Sequence, residues 1–160
     1  MPDHTPQLRQ ATAADSDLAF AIKKKSFGGY TDEVWGWDEG LQRRLHDRDF
    51  ESERFQIVHL AGQDIGLLGL RAEGSSLWIG QIYILPIHQN KGYGTRLIQD
   101  VITEANQSGQ SVKLQVLKIN PARELYERLG FVITGTNGPH HVMEHAVSRS
   151  ARPNTSVGDQ

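Results

Sequence analysis

Ile82-Tyr83-Ile84-Leu85-Pro86-Ile87-His88-Gln89-Asn90-Lys91-Gly92-Tyr93-Gly94-Thr95-Arg96-Leu97 reads as a strand, a tight turn and the start of a helix. The apolar, β-branched run stops at Pro86, which cannot donate to a sheet ladder. Past the polar turn, Tyr93, Leu97, Ile98, Val101, Ile102 and Ala105 recur at helical spacing. Two glycines, Gly92 and Gly94, stand where the helix begins. The first amides of a helix lack intrahelical partners and carry partial positive charge. With no side chains at the glycines an anion can approach them closely. Lys91 and Arg96 add cationic side chains nearby, so the element reads as a pyrophosphate cradle.

Two common phosphate motifs do not fit. The dinucleotide fingerprint needs a third glycine, where this chain has Leu97. The P-loop needs Lys after its last glycine, and Lys91 precedes Gly92. Composition narrows the rest. A chain of 160 residues, 38% hydrophobic, suits one globular domain. A net charge of −2 supplies no global basic field for nucleic acid, so any anion site is local. The absence of cysteine excludes disulfides, thiolate metal sites and a cysteine nucleophile. The polar first ten residues do not read as a secretory signal, and no run of 18 apolar residues reads as a membrane span. The expectation is a cytoplasmic protein, with residues 148–160, rich in Ser, Arg, Pro and Gly, as a disordered tail.

Before the cradle, Leu8-Arg9-Gln10 reads as a strand, and Thr12-Ala13-Ala14-Asp15 as a capping box opening a helix that buries Leu18, Ala21 and Ile22 and ends before Gly28-Gly29. A second helix is expected over residues 32–47, with Val34, Trp37, Leu41 and Leu45 on its core face. Trp35 lies about 100° round from Val34 on that wheel, which suits packing against a loop or the wall of an acceptor pocket. Residues 55–61 and 65–72 form a hairpin, and 77–85 the strand into the cradle, giving an antiparallel meander. After the cradle helix, Val112, Leu114 and Val116 alternate as a strand, parallel to 82–85 across a β-α-β crossover. Asn120-Pro121 opens a short helix as N-cap and first helical position, and Gly130 closes it. Residues 131–134 and 140–147 are the last strands.

Gln89-Asn90-Lys91-Gly92-Tyr93-Gly94 resembles the Gln/Arg-x-x-Gly-x-Gly/Ala signature of the GNAT acyltransferase superfamily, and Ile82 to Pro86 fits that family's fourth strand. Leu8 to Asp15 resembles its opening. Asn120-Pro121-Ala122-Arg123-Glu124-Leu125-Tyr126-Glu127-Arg128-Leu129-Gly130-Phe131 resembles its Asn-x-x-Ala…Tyr-x-x-x-Gly-Phe region, with Asn120 one residue closer to Tyr126 than in many members. Val142-Met143-Glu144 resembles the closing strand. The resemblance covers residues 8–147, weakest over 28–50.

It implies an α/β fold over residues 6–147: a mixed, mostly antiparallel sheet of about seven strands flanked by about four helices, with the parallel crossover at the cofactor site. It implies acetyl-CoA as co-substrate, with the pyrophosphate on the amides of Gln89, Asn90, Lys91, Gly92, Tyr93, Gly94 and Thr95. The pantetheine arm would lie along Ile82, Tyr83 and Ile84 as an added strand, and the Ile84 amide would polarise the thioester carbonyl. Asn120 would bond the pantetheine, and Tyr126 would protonate the leaving thiolate. A ring packed under the sheet and a plain N-cap are the alternatives for those two residues. Some members place a glutamate base where this chain has Gln115, which cannot take a proton. Glu33, Asp38, Glu73, His88 and His140 are the other candidates.

The acceptor is expected to be a small-molecule primary amine walled by Tyr30, Trp35 and Trp37, attacked directly in a ternary complex. A catalytically weak CoA-binding module and a protein N-terminal or lysine acetyltransferase remain open, as does a homodimer. No metal, nucleic-acid or membrane partner is expected. His141 and His145 share one face of their strand while His140 faces away. Lys23-Lys24-Lys25 reads as a solvated charge run at a helix end that could touch the cofactor's adenosine phosphate.

Overall fold

The computed structural model describes residues 5–147; the tail expectation for 148–160 lies outside them. The strands are β1 (Gln7–Gln10), β2 (Arg54–Leu60), β3 (Gln63–Glu73), β4 (Ser76–Ile84), β5 (Ser111–Leu117), β6 (Val132–Asn137) and β7 (His140–His145). The helices are α1 (Ser16–Trp35), α2 (Glu39–Ser52), α3 (Tyr93–Gln107) and α4 (Ala122–Arg128). The strands form one seven-stranded sheet in the order β1-β2-β3-β4-β5-β7-β6. The expected architecture of a mixed, mostly antiparallel sheet with four helices is borne out.

The described residues divide into two compact units, residues 5–71 with 79–94 and residues 72–78 with 95–147. In the first, the meander is tightly specified. β2 and β3 are joined through Ala61 and Gly62, which sit at φ 49° and φ 84°. Two left-handed residues make the turn whose twist matches a hairpin. Ala19, Ile22, Phe55, Ile57 and Leu67 form a buried cluster between α1 and the sheet, with Tyr83 and Leu85 packed against it. The opening box is present: Asp15 accepts the Thr12 amide at 2.8 Å and pairs with Arg9 at 2.9 Å. A short 3-10 turn at Ala13–Asp15 leads from it into α1.

The helical hairpin differs from expectation. α1 does not end before Gly28-Gly29; it runs through them to Trp35. Each helical glycine costs only about 1 kcal/mol relative to alanine. Phe27 and Tyr30 meet as tilted rings at i and i+3 across the pair, with centroids 5.7 Å apart, and Phe27 also lies 5.4 Å from Tyr83. The second helix does not span 32–47. Asp32, which reads as a helix opener, instead closes α1: its carbonyl accepts Gly36 N–H and its carboxylate accepts Trp37 N–H, both at 2.9 Å. Gly36 turns the chain at φ 76°, and Asp38 caps α2 by accepting Leu41 N–H at 3.0 Å. Val34 and Trp35 therefore belong to α1. Leu41 is exposed rather than in the core, and the buried residue of α2 is His46. The lysine run lies in the middle of α1, not at an end. Lys24 pairs with Glu39 at 2.8 Å, and Lys23 is half-buried.

In the second unit β4 and β5 begin side by side. Ser111 N–H donates to Ser75 O at 3.1 Å, and the buried Ser76 and Ser111 hydroxyls bond at 3.0 Å. Two strands starting together run parallel, as the crossover requires. β7 pairs antiparallel with both β5 and β6. Leu97, Ile98, Val101 and Ala105 are the buried face of α3.

Candidate active site

At the end of β4, Leu85 N–H donates to Ile65 O at 2.8 Å. Amides alternate in direction along a strand, so the Ile84 N–H and C=O face away from β3. Gly66 permits the close β3 approach. A Cβ there would meet Tyr83 O at 2.5 Å and Ile84 Cδ1 at 2.9 Å. The outward Ile84 carbonyl accepts Gln89 Nε2 at 2.8 Å, so that side chain ties the loop to the strand it leaves.

The loop folds as the sequence suggests. Pro86–His88 is one 3-10 turn, Gln89 is extended, Asn90 sits at φ 63° and Gly92 at φ 86°. Asparagine and glycine are the residues that adopt this left-handed region most readily. α3 then begins at Tyr93, and its first four N–H groups have no intrahelical acceptor. A Cβ built on Gly92 or Gly94 would meet nothing within 4 Å. The main chain is therefore open to a ligand, and the residues present fit a diphosphate. Arg96 pairs with Asp100 at 3.7 Å on the exposed face, and Lys91 is exposed.

The second unit carries Asn120 and Tyr126. Asn120 Oδ1 accepts Ala122 N–H at 2.9 Å, the capping role read from the sequence, leaving its NH2 as the group it could offer a ligand. Gly130 closes α4 at φ 103° while Phe131 N–H reaches back to Tyr126 O at 3.0 Å. Tyr126 is 8% exposed, its ring 5.9 Å from Phe131. Burial pushes its phenol up to about 12, so it is neutral at physiological pH. Gln115 is exposed on β5. His145 packs on Phe131 at 5.5 Å, and His141 lies 3.5 Å from Arg123.

A sequence profile described as the acetyltransferase (GNAT) domain matches residues 51–133, more than half of the chain. The chain belongs to the GNAT acetyltransferase family. Members of this family use acetyl-CoA. Among solved structures, the PaiA N-acetyltransferase of Thermoplasma acidophilum in complex with coenzyme A superposes with a TM-score of 0.73 at 15% identity, over 89% of this chain and 99% of that one. The ribosomal-protein-S18-alanine N-acetyltransferase of Escherichia coli gives 0.69 at 18% identity, over 90% and 95%. A chimera of the spermidine N-acetyltransferase SpeG of Vibrio cholerae and hSSAT gives 0.68 at 26% identity, over 91% and 97%. No curated protein matches the chain. The GNAT fold named from the sequence is thus the observed one.

In this GNAT chain the three expected acceptor-wall aromatics, Tyr30, Trp35 and Trp37, lie at the C-terminal end of α1 and in the turn after it. Tyr30 joins Phe27 and, through it, Tyr83 of β4. Trp37 lies 6.2 Å from Phe20, donates to Glu39 at 2.8 Å and has Lys24 over its ring. Trp35 is 55% exposed. Of the candidate bases, Glu33 and Glu73 are exposed, and the Asp38 carboxylate is committed to its cap. Sequence reading passed over Glu53, the acid that the first unit buries deeply. The available signal was Gly69 and Gly80 inside strands, because strand glycines mark close approach.

Proposed function

We propose that the protein is an N-acetyltransferase that moves the acetyl group of acetyl-CoA to a primary amine on a small molecule, by direct attack in a ternary complex. The observation that carries the reading is the open main-chain cradle at Gln89–Thr95, directly after a strand whose last N–H and C=O face away from its β3 neighbour. Acetyl-CoA, when bound, supplies an acyl group activated as a thioester. The amides of Gln89, Asn90, Lys91, Gly92, Tyr93, Gly94 and Thr95 would hold its diphosphate, each charge-assisted bond contributing on the order of 1.5–3 kcal/mol. Ile82, Tyr83 and Ile84 would pair with the pantetheine arm, and the outward Ile84 N–H would sit where negative charge develops. The Asn120 NH2 would donate to the same arm.

Burial keeps the Tyr126 phenol protonated until the sulfur departs. Its hydroxyl would donate to the departing sulfur. Tyr30, Trp35 and Trp37 are assigned to the acceptor side, and the cytoplasm is the compartment proposed.

A CoA-binding module with weak catalysis is the second reading, favoured by Gln115 where some relatives carry a glutamate. The names of two structural neighbours frame the acceptor, one a spermidine and one a protein-alanine acetyltransferase. Thiol release from acetyl-CoA with spermidine, a panel of small amines and a peptide beginning with alanine tests the assignment. Turnover of the amines above the peptide supports it. CoA-induced thermal stabilisation with no turnover supports the second reading.

A further inference from the structure

We propose that Glu53 is the proton acceptor that frees the acceptor amine, working through water against β4; the assignment rests on the acetyl-transfer reading above. Glu53 and the residues around it belong to the first unit. Glu53 lies between α2 and β2, and its side chain is 6% exposed. It folds onto the sheet over two strand glycines. A Cβ on Gly80 would come within 2.5 and 2.6 Å of its two carboxylate oxygens, and one on Gly69 within 2.8 Å of Oε1. No other residue at 69 or 80 would leave the carboxylate room to lie there.

One oxygen is satisfied and one is not. Oε2 is 3.5 Å from Arg71 Nη1. Oε1 is fully buried with no hydrogen-bond partner, and so is Oε1 of Gln81, itself 8% exposed. Gln81 directs its amide nitrogen to Asp49 at 3.4 Å. Leaving a buried acceptor unmade costs free energy that a purely structural ion pair would not retain. Two such acceptors beside one another suit a protonated ligand or a water that relays a proton. Gly80 precedes Ile82 and Ile84 by two and four residues, roughly 7 and 13 Å along the strand, too far for direct contact, so the proton would pass along a chain of more than one water.

The charged groups facing Glu53 are Lys23 from α1, Arg48 and Asp49 from α2 and Arg71 from β3. Burial, then the Asp49 charge, push its carboxyl up, against Arg71, Lys23 and Arg48. A carboxylate whose pKa is raised is a stronger base than a free one, which favours general-base work. The ammonium R–NH3+ passes one proton through water to the Glu53 carboxylate. The freed nitrogen pair forms the C–N bond, the C–S bond breaks with its electrons on sulfur, the second nitrogen proton neutralises the thiolate, and Glu53 returns its proton to solvent.

The test uses the full chain and Glu53→Gln and Glu53→Asp, with CoA binding followed by calorimetry and thiol release measured with spermidine and with no amine. Glu53→Gln should bind CoA as the parent does, lose about 10²-fold or more in kcat/KM for the amine near neutral pH, and lose the acidic limb of the pH profile. The deficit should shrink at high pH, where the amine is already neutral, and Glu53→Asp should restore the limb in part. A retained limb, or a deficit equal at every pH, overturns the assignment. If Glu53→Gln does not fold, the parent's limb is compared with the Glu53 carboxyl titration followed by carbon NMR; a mismatch overturns it equally. A parent chain that binds no CoA, or releases no thiol in any arm, instead overturns the acetyltransferase reading on which the assignment rests.

Discussion

Gln89 Nε2 donates to the Ile84 carbonyl at 2.8 Å, which makes the first residue of the cradle a strut back to the last residue of β4. One half-buried neutral bond of this kind contributes about 1 kcal/mol. Gln89→Ala should lower stability by that amount, read by urea denaturation, and raise the KM for acetyl-CoA with kcat little changed. A raised kcat effect without a KM effect would mean that the loop does not depend on the strut.

Gly92 sits at φ 86° with open space where a side chain would project. Gly92→Ala should cost about 1–2 kcal/mol in backbone strain while CoA still binds. Gly92→Asp adds a like charge to a diphosphate site and should weaken CoA binding by at least about tenfold more than alanine does, equal to about 1.4 kcal/mol. Equal CoA affinity in the two variants, measured by calorimetry, removes the anion from this loop.

Gly66 has no such freedom, since a Cβ would press on the Tyr83 carbonyl at 2.5 Å. That carbonyl is backbone and cannot swing aside. Gly66→Ala should destabilise by about 1–3 kcal/mol, and unchanged thermal stability would mean that β3 and β4 separate without cost.

Tyr126→Phe should reduce kcat more than CoA binding, because the lost hydroxyl acts mainly in the transition state. The phenol also predicts a spectral signature. Of four tyrosines, one should ionise late, near 12. A group held neutral by burial stabilises the fold fully below pH 10, its unfolded value, and that contribution is lost as pH rises through 12. The late phenolate absorbance step should vanish in Tyr126→Phe.

His46 is 1% exposed, boxed by Phe20, Phe50 and Phe55, with Nε2 3.0 Å from Ser16 O. Burial lowers its pKa below 6.5. Its neutral form therefore stabilises the fold above pH 6.5, and the contribution is lost as pH falls from there through the folded value. The thermal midpoint should drop below pH 6.5, and the drop should be smaller in His46→Gln.

The sequence by itself determined the elements whose cause is local. A proline stops β4, Asn90 and Gly92 take the left-handed turn, an apolar stripe sets α3, and Asn120 and Gly130 begin and end α4. Each follows from backbone sterics or from one side chain bonding a neighbouring amide, so reading along the chain was enough. Only the tertiary structure decided the rest. Gly28-Gly29 stay helical where Phe27 meets Tyr30 along the helix and Tyr83 across it, and the second of these is a contact no helical wheel contains. Asp32 became a helix end instead of a beginning because its carboxylate found the Trp37 amide. Glu53 became a buried acid because glycines on two other strands vacate the space it fills. Burial is a property of what folds over a residue, and neither spacing nor composition carries it.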